Sequence, residues 1–163
     1  MNLPEYLTPG QYDQLHQQMP TPTMKDALTV MYVLALRISE LCKLTPSDVD
    51  FERQTVRILG KGSKVRHLPI TPDISDILKA AVLRPGYCFN VKVATFRNYV
   101  KFAAGRAKVG HVHPHMIRHS RATHLLNDGL GLADIKAIMR HDAYSSTLVY
   151  THVALERMRR LMS

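Results

Sequence analysis

No run of apolar residues in this 163-residue chain approaches the roughly 20 that a membrane span requires, so an integral membrane protein is not expected. The first residues, Met1-Asn2-Leu3-Pro4-Glu5, lack a basic stretch followed by an apolar one and do not read as a signal peptide. Cysteine is scarce. Cys42 and Cys88 stand far apart, without metal-type pairing, and read as reduced thiols of a cytoplasmic protein. No internal repeat, low-complexity tract or interdomain linker interrupts the chain. Acidic residues are also in deficit: 13 Asp and Glu against 22 Lys and Arg give a net charge of +9, which favours nucleic acid or an acidic membrane surface as partner. What remains is ordinary. A hydrophobic fraction of 45% suits a globular protein, and the length suits one domain that buries roughly 70% of its unfolded surface.

In chain order, Thr8-Pro9 reads as the cap and first turn of a helix whose apolar face is Tyr12, Leu15 and Met19. Pro20 and Pro22 break it, and Thr23 is the expected cap of the next. From Met24 to Leu36 nearly every residue is apolar, which predicts a central helix buried on most sides. Ser39 then starts a short helix carrying Leu41 and Leu44 inward. The period changes after Pro46. Val49 and Phe51, then Val56 and Ile58, read as two strands joined by a turn at Glu52-Arg53-Gln54. The basic turn Gly60-Lys61-Gly62-Ser63-Lys64 leads to a third strand over Val65 to Ile70. Helices are expected after Thr71-Pro72, over Thr95 to Lys108 (Phe96, Tyr99, Val100 and Ala103 inward), and at about 114–127, 132–139, 143–150 and from 154 onward. The reading is one mostly helical α+β domain with a small three-stranded antiparallel sheet.

Chemistry concentrates between His115 and His152. The stretch opens His115-Met116-Ile117-Arg118-His119, passes Ile138-Met139-Arg140-His141, and ends Tyr150-Thr151-His152. Two histidines, an arginine and a tyrosine are what is needed to hold a phosphodiester and attack it. Taken singly, each candidate has a plainer reading. Arg37 and Glu40 can form a helix ion pair, and His119 and His124 read as packing or capping residues. Lys64 and Arg66 read as phosphate contacts beside Lys61. Arg97, Lys101, Arg106 and Lys108 form a basic strip on one helix, suited equally to phosphate contact and to solvent. The alternation His111-Val112-His113-Pro114-His115 invites a zinc reading. It has no Cys or carboxylate nearby and Pro114 fixes its backbone, so no metal site is expected.

Together these segments resemble the tyrosine recombinases, the phage integrases and Xer-type resolvases. That family's first active-site arginine sits in Gly-Leu-Arg-x-Ser-Glu-Leu, matched by Leu36-Arg37-Ile38-Ser39-Glu40-Leu41 with Ala35 in place of Gly. Its lysine lies in a Gly-Lys-Gly hairpin, matched by Gly60-Lys61-Gly62. A His-x-x-Arg pair opening a helix is matched by His115 and Arg118. A histidine near a helix end and a tyrosine nine positions on are matched by His141 and Tyr150, followed by Thr151-His152-Val153. The resemblance runs from about Thr8 to the C-terminus, with six functional positions in order. Arg140 departs from it, since glycine usually precedes that histidine. Ala35 is expected to be tolerated within a helix. Only 36 residues precede Arg37, so a single catalytic domain is expected over 1–163, without the usual N-terminal core-binding domain, either excised or naturally minimal.

What the resemblance implies is a site-specific recombinase or integrase, working without metal or cofactor through a 3′-phosphotyrosine bond to DNA. Tyr150 would be the nucleophile, and Arg37 and Arg118 would each grip two phosphate oxygens. His115 would add a hydrogen bond or take the phenol's proton, and His141 would donate to a non-bridging oxygen. Lys61 would protonate the leaving 5′-oxygen, with Glu40 orienting the arginine or a histidine. Lys64, Arg66, Arg97, Lys101 and Arg140 would contact DNA. The implied partners are double-stranded DNA, further copies of the chain (monomers in solution, a tetramer on DNA) and accessory DNA-bending proteins, in a nucleoid-associated setting. Two alternatives share the fold: a DNA-binding accessory regulator without productive recombination, and strand relaxation like a type IB topoisomerase.

Overall fold

A computed structural model of the chain describes residues 5–139, 158–160, 162 and 163. Helices α1 (Pro9–Gln17), α2 (Pro22–Val33) and α3 (Ile38–Cys42) lead into strands β1 (Val49–Asp50), β2 (Thr55–Leu59) and β3 (Val65–Pro69). Helices α4 (Pro72–Ala81), α5 (Val93–Ala107), α6 (Pro114–Asn127) and α7 (Leu132–Met139) follow. Proline opens α1, α2, α4 and α6, where its missing N–H is no loss and its fixed φ suits the first turn. Thr8 accepts from Gln11 N–H while Gln11 Oε1 accepts from Thr8 N–H, a reciprocal cap for α1. The cap of α2 is Thr21, whose hydroxyl accepts from Met24 N–H, rather than the expected Thr23, because Pro22 already begins the helix. Thr71 stands at the expected cap of α4, yet its buried hydroxyl has no hydrogen-bond partner among the described residues.

Helix α2 is the central element. Ala27, Leu28, Val30 and Met31 are wholly buried, and the helix packs on α1, α3, α4 and α6. The sheet runs β1-β2-β3, all antiparallel, as expected from the alternation of apolar residues. Val56 and Ile58 of β2 face the core and pair with Leu68 and Arg66 of β3. The period of two thus turns Arg66 inward, in phase with Leu68. Leu7, before α1, is tied to α6 by two buried bonds: its N–H donates to Ser120 Oγ and its carbonyl lies 2.7 Å from His124 Nε2. His124 Nδ1 lies 2.6 Å from Tyr32 Oη, so this histidine has the structural role expected of it. At the other end, Met158 and Met162 are buried in the same core, and Arg121 donates to the Met162 carbonyl. The helix expected over 143–150 lies outside the described residues.

The end of α2 differs from expectation in an instructive way. The helix stops at Val33, and Ala35 adopts φ +52°, outside it. Ala35 N–H donates to Tyr32 O and Leu36 N–H to Met31 O, the two bonds of a Schellman turn with alanine at the position glycine usually takes. A left-handed conformation costs an L-residue about 1–2 kcal/mol, and the sharp turn it makes delivers Leu36 to the core and Arg37 to the start of α3. Ala35 is itself fully buried. Replacing it with glycine relieves the strain, but it removes a buried methyl worth about 0.8 kcal/mol and frees the unfolded backbone by roughly 0.5–1 kcal/mol. Ala35→Gly is therefore expected to unfold within about 1 kcal/mol of the parent in urea. Ala35→Val, branched at a positive φ with no space around it, is expected to lose at least about 2 kcal/mol in the same titration.

Candidate active site

The site is built on a carboxylate beneath the surface. Glu40, 5% exposed, turns inward on α3 beside the wholly buried Leu41. Arg66 comes up from the inward face of β3 and grips it with two nitrogens, Nη1 to Oε2 at 2.6 Å and Nη2 to Oε1 at 3.0 Å. The N–H of Arg37 donates to Oε1 at 2.8 Å, fixing the first turn of α3. Two further guanidiniums stand near, Arg118 Nη1 at 3.6 Å and Arg37 Nη1 at 3.7 Å. Burial on its own raises the Glu40 pKa. The hydrogen bonds and charge of Arg66, the Arg37 N–H and the charge of Arg118 overcome that, and the net effect holds the carboxyl below its ordinary value. Gly60 lies directly over this pair: a Cβ there would sit 3.5 Å from Glu40 Oε2 and 3.4 Å from the Lys64 carbonyl. A methyl fits at van der Waals distance, and a longer side chain meets the ion pair.

Arg66, read from the sequence as a DNA contact, is corrected by this geometry. It is 1% exposed, bonded to Glu40, and its Nε donates to the Ile138 carbonyl at the end of α7. Charge on a basic chain suggested a surface, whereas its strand phase with Leu68 was the signal for burial. Arg118 is also buried, at 1% exposure. Its Nη1 donates to Ala35 O at 2.9 Å and its Nη2 donates to Met139 O. Burial, then the charges of Arg37 and Arg66, lower its pKa to about 10 against the opposing pull of Glu40, so it stays protonated at neutral pH. The two arginines together hold the Ile138 and Met139 carbonyls of α7.

Above the pair opens a cleft of about 520 Å³ lined by Arg37, Ser39, Glu40, Lys43, Leu59, Gly60 and Lys61. Arg37 arrives from the turn after α2 and Lys61 from the β2–β3 hairpin, whose left-handed Gly62 and Ser63 make the tight return. Lys43 and Ser39 are missed by sequence reading. Lys43 belongs to no motif and Ser39 reads only as part of the Arg37 motif, and the fold of α3 brings both to the cleft. His115, in the first turn of α6, is exposed and within electrostatic range of Arg37 and Arg118. Its pKa is lowered by partial burial first, then by His119, Arg118, His113 and Arg37, which leaves a neutral imidazole at pH 7. His113 caps α6, its Nδ1 accepting from Met116 N–H, and the His115 and His119 rings meet edge-on at 4.4 Å. Lys64 is half-buried in the hairpin. Arg97 and Lys101 are exposed on α5 and line no part of this cleft. Arg140, His141 and Tyr150 lie outside the described residues.

Residues 5–157 match the phage integrase family. The chain belongs to the phage integrase family. Among curated tyrosine recombinases, XerC of Bacillus subtilis strain 168 is 33% identical over 151 residues, covering 81% of this chain and 50% of the relative. XerC of Roseiflexus sp. strain RS-1 is 32% identical over 182 residues, covering 93% and 56%. The chain thus spans about half the length of the curated relatives it matches. In fold it resembles the integrase from mycobacterium phage Brujita, with a TM-score of 0.84 at 22% identity over 99% of this chain and 58% of that one. It likewise resembles the XerA recombinase, with a TM-score of 0.75 at 23% identity over 97% and 65%. This phage integrase family member has the tyrosine-recombinase fold: mostly helical, with the three-stranded antiparallel sheet. No helix among its described residues is long and apolar enough to cross a membrane.

Glu40→Gln leaves Arg66 buried with its partner's negative charge gone, a change expected to cost about 3–5 kcal/mol. Because the folded pKa of Glu40 lies below its unfolded value, the pair's stabilisation is complete above the unfolded carboxylate pKa, about 4.3, and is lost as pH falls through the lower folded value. Urea unfolding across that acid range is expected to show a pH-dependent step in the parent that is smaller in Glu40→Gln.

Proposed function

We propose that this chain carries the strand-cleaving and rejoining site of a site-specific DNA recombinase. The observation that carries the reading is the meeting of Arg37 and Lys61, from segments 24 positions apart, in one cleft over the Glu40–Arg66 pair, with His115 and Arg118 coupled electrostatically to Arg37. Family membership and a net charge of +9 support DNA as the substrate.

Attack on a phosphodiester builds negative charge on its non-bridging oxygens, and preorganised cationic donors stabilise that charge more than they stabilise the ground state. Arg37, half-buried at the cleft wall and held by its N–H to Glu40, is the donor that meets the phosphate. Arg118 acts from behind. It contributes charge, and each terminal nitrogen keeps one N–H beyond its carbonyl bond. Tyr150 is the nucleophile: its phenolic oxygen bonds to phosphorus, the 5′-oxygen leaves, and DNA is held through a 3′-phosphotyrosine. A phenol of ordinary pKa near 10 needs a base, and the neutral His115 accepts its proton. Lys61 gives a proton to the 5′-oxygen, and His141 donates to a non-bridging oxygen. The covalent bond conserves the phosphodiester energy, so attack by a 5′-hydroxyl reverses the step without ATP. The guanidiniums and ammonium supply the positive charge, and no metal is needed. Assembly of several copies on DNA belongs to the same reading.

Incubation with a duplex carrying a nick close to the cleaved phosphate is expected to trap a covalent protein–DNA adduct that resists boiling in detergent. Tyr150→Phe is expected to abolish the adduct with DNA binding unchanged, and Arg37→Ala to slow it by about two to three decades. Binding without an adduct at any pH would favour a regulator that keeps the fold. With His115 as proton acceptor, the adduct rate is expected to fall as pH drops through its lowered pKa, and His115→Gln is expected to flatten that limb.

A further inference from the structure

We propose that Lys43 and Ser39 hold a second phosphodiester of the same DNA strand, next to the one that is cleaved, with Leu59 against the sugar between them. This rests on the recombinase reading of the cleft. The cleft, at about 520 Å³, is several times larger than one phosphodiester group, and Arg37 with Lys61 accounts for only part of its wall. Its one carboxylate offers nothing to a ligand: both oxygens of Glu40 already accept from Arg66, and Oε1 accepts from Arg37 as well. The remaining cation is Lys43, exposed at the C-terminal end of α3, and no carboxylate lies within ion-pair range of it among the described residues. Arg37, Lys43 and Lys61 therefore stand around one concavity with no free anion among them, an arrangement that like-charge repulsion opposes until a polyanion fills it. Lys43 is six residues after Arg37, about 9 Å along a helix axis, and both line the same cleft.

Leu59 separates a DNA strand from a lone anion as the occupant. It is 49% exposed and sits in the same wall as the cations, where a free phosphate ion would give it no contact. A nucleic-acid backbone presents alternating phosphate and deoxyribose, and a cation–apolar–cation wall complements that alternation. Ser39, exposed in the first turn of α3, adds a neutral hydroxyl donor of the kind that commonly contacts phosphate oxygens.

Binding to a short mixed-sequence duplex, followed by fluorescence anisotropy across a potassium chloride series, tests the Lys43 contact without any chemistry. Lys43→Met is expected to weaken binding several-fold at moderate salt and to reduce the slope of log K against log salt by about 0.9, one phosphate's worth. Lys43→Arg should restore the slope. An unchanged slope in Lys43→Met overturns the proposal. A second measurement needs no variant. Nicked duplexes randomised on both sides of the nick are selected for the covalent adduct, and single phosphates of the recovered sequence are then replaced by neutral methylphosphonates. Two adjacent sensitive phosphates, one of them insensitive in Lys43→Met, are the expected result; sensitivity at the cleaved phosphate alone overturns the proposal. Absence of any adduct would count against the recombinase reading, while the salt slope would still decide the Lys43 contact.

Discussion

A single buried carboxylate organises this domain. Glu40 binds Arg66 through two nitrogens, caps the first turn of α3 through Arg37 N–H, and has Arg118 within 3.6 Å. Arg66 in turn reaches the Ile138 carbonyl and Arg118 the Ala35 and Met139 carbonyls, so elements from both ends of the chain converge on one anion. Taking these ions out of water is expensive, and an apolar trio of similar volume could be as stable. What the charges add is orientation. Each guanidinium is planar and directional, so it sets the angle between α3, β3, α6 and the end of α7 as well as their distance. The donor presented at the surface, Arg37, inherits its position from groups no ligand touches.

Two populations of cations follow from this arrangement. Arg66 and Arg118 are enclosed and bonded to protein oxygens, while Arg37, Lys43 and Lys61 stand around the cleft above. The inner pair neutralises Glu40 and leaves excess positive charge behind the outer set. Burial first, and then the field of neighbouring cations, lower the pKa of Arg118 to about 10 and that of His115 below its ordinary value. A field of this kind, fixed in a low-dielectric interior, strengthens the attraction for an anion entering the cleft more than surface charges could.

Much of this was legible in the sequence. The apolar alternation of Val56, Ile58 and Leu68 gave the sheet, the threonine–proline pairs gave helix starts, and two residues singled out by motif, Arg37 and Lys61, line one cleft. Other features were not, for distinct physical reasons. The burial of Arg66 depends on a partner 26 positions away, although its phase with Leu68 hinted at it. Ala35 looked like an interior helical residue because alanine is the best helix former. Only the tertiary demand that Leu36 and Arg37 turn back puts it in a conformation it does not favour. Lys43 belongs to no motif, and its place follows from the short length of α3.

The Schellman turn at Ala35 carries a consequence for how this chain can vary in length. Its carbonyl is a ligand of Arg118, its twist sets Arg37, and both are timed by the number of residues in α2. One residue added to or removed from α2 would rotate everything beyond it by about 100° around the helix axis, swinging Glu40 away from its arginines. Insertions between α2 and α3 should therefore be absent from working relatives even where the β1–β2 turn or the stretch between α4 and α5 grows and shrinks freely. The distance along the chain from Thr21 to Glu40 acts as a ruler.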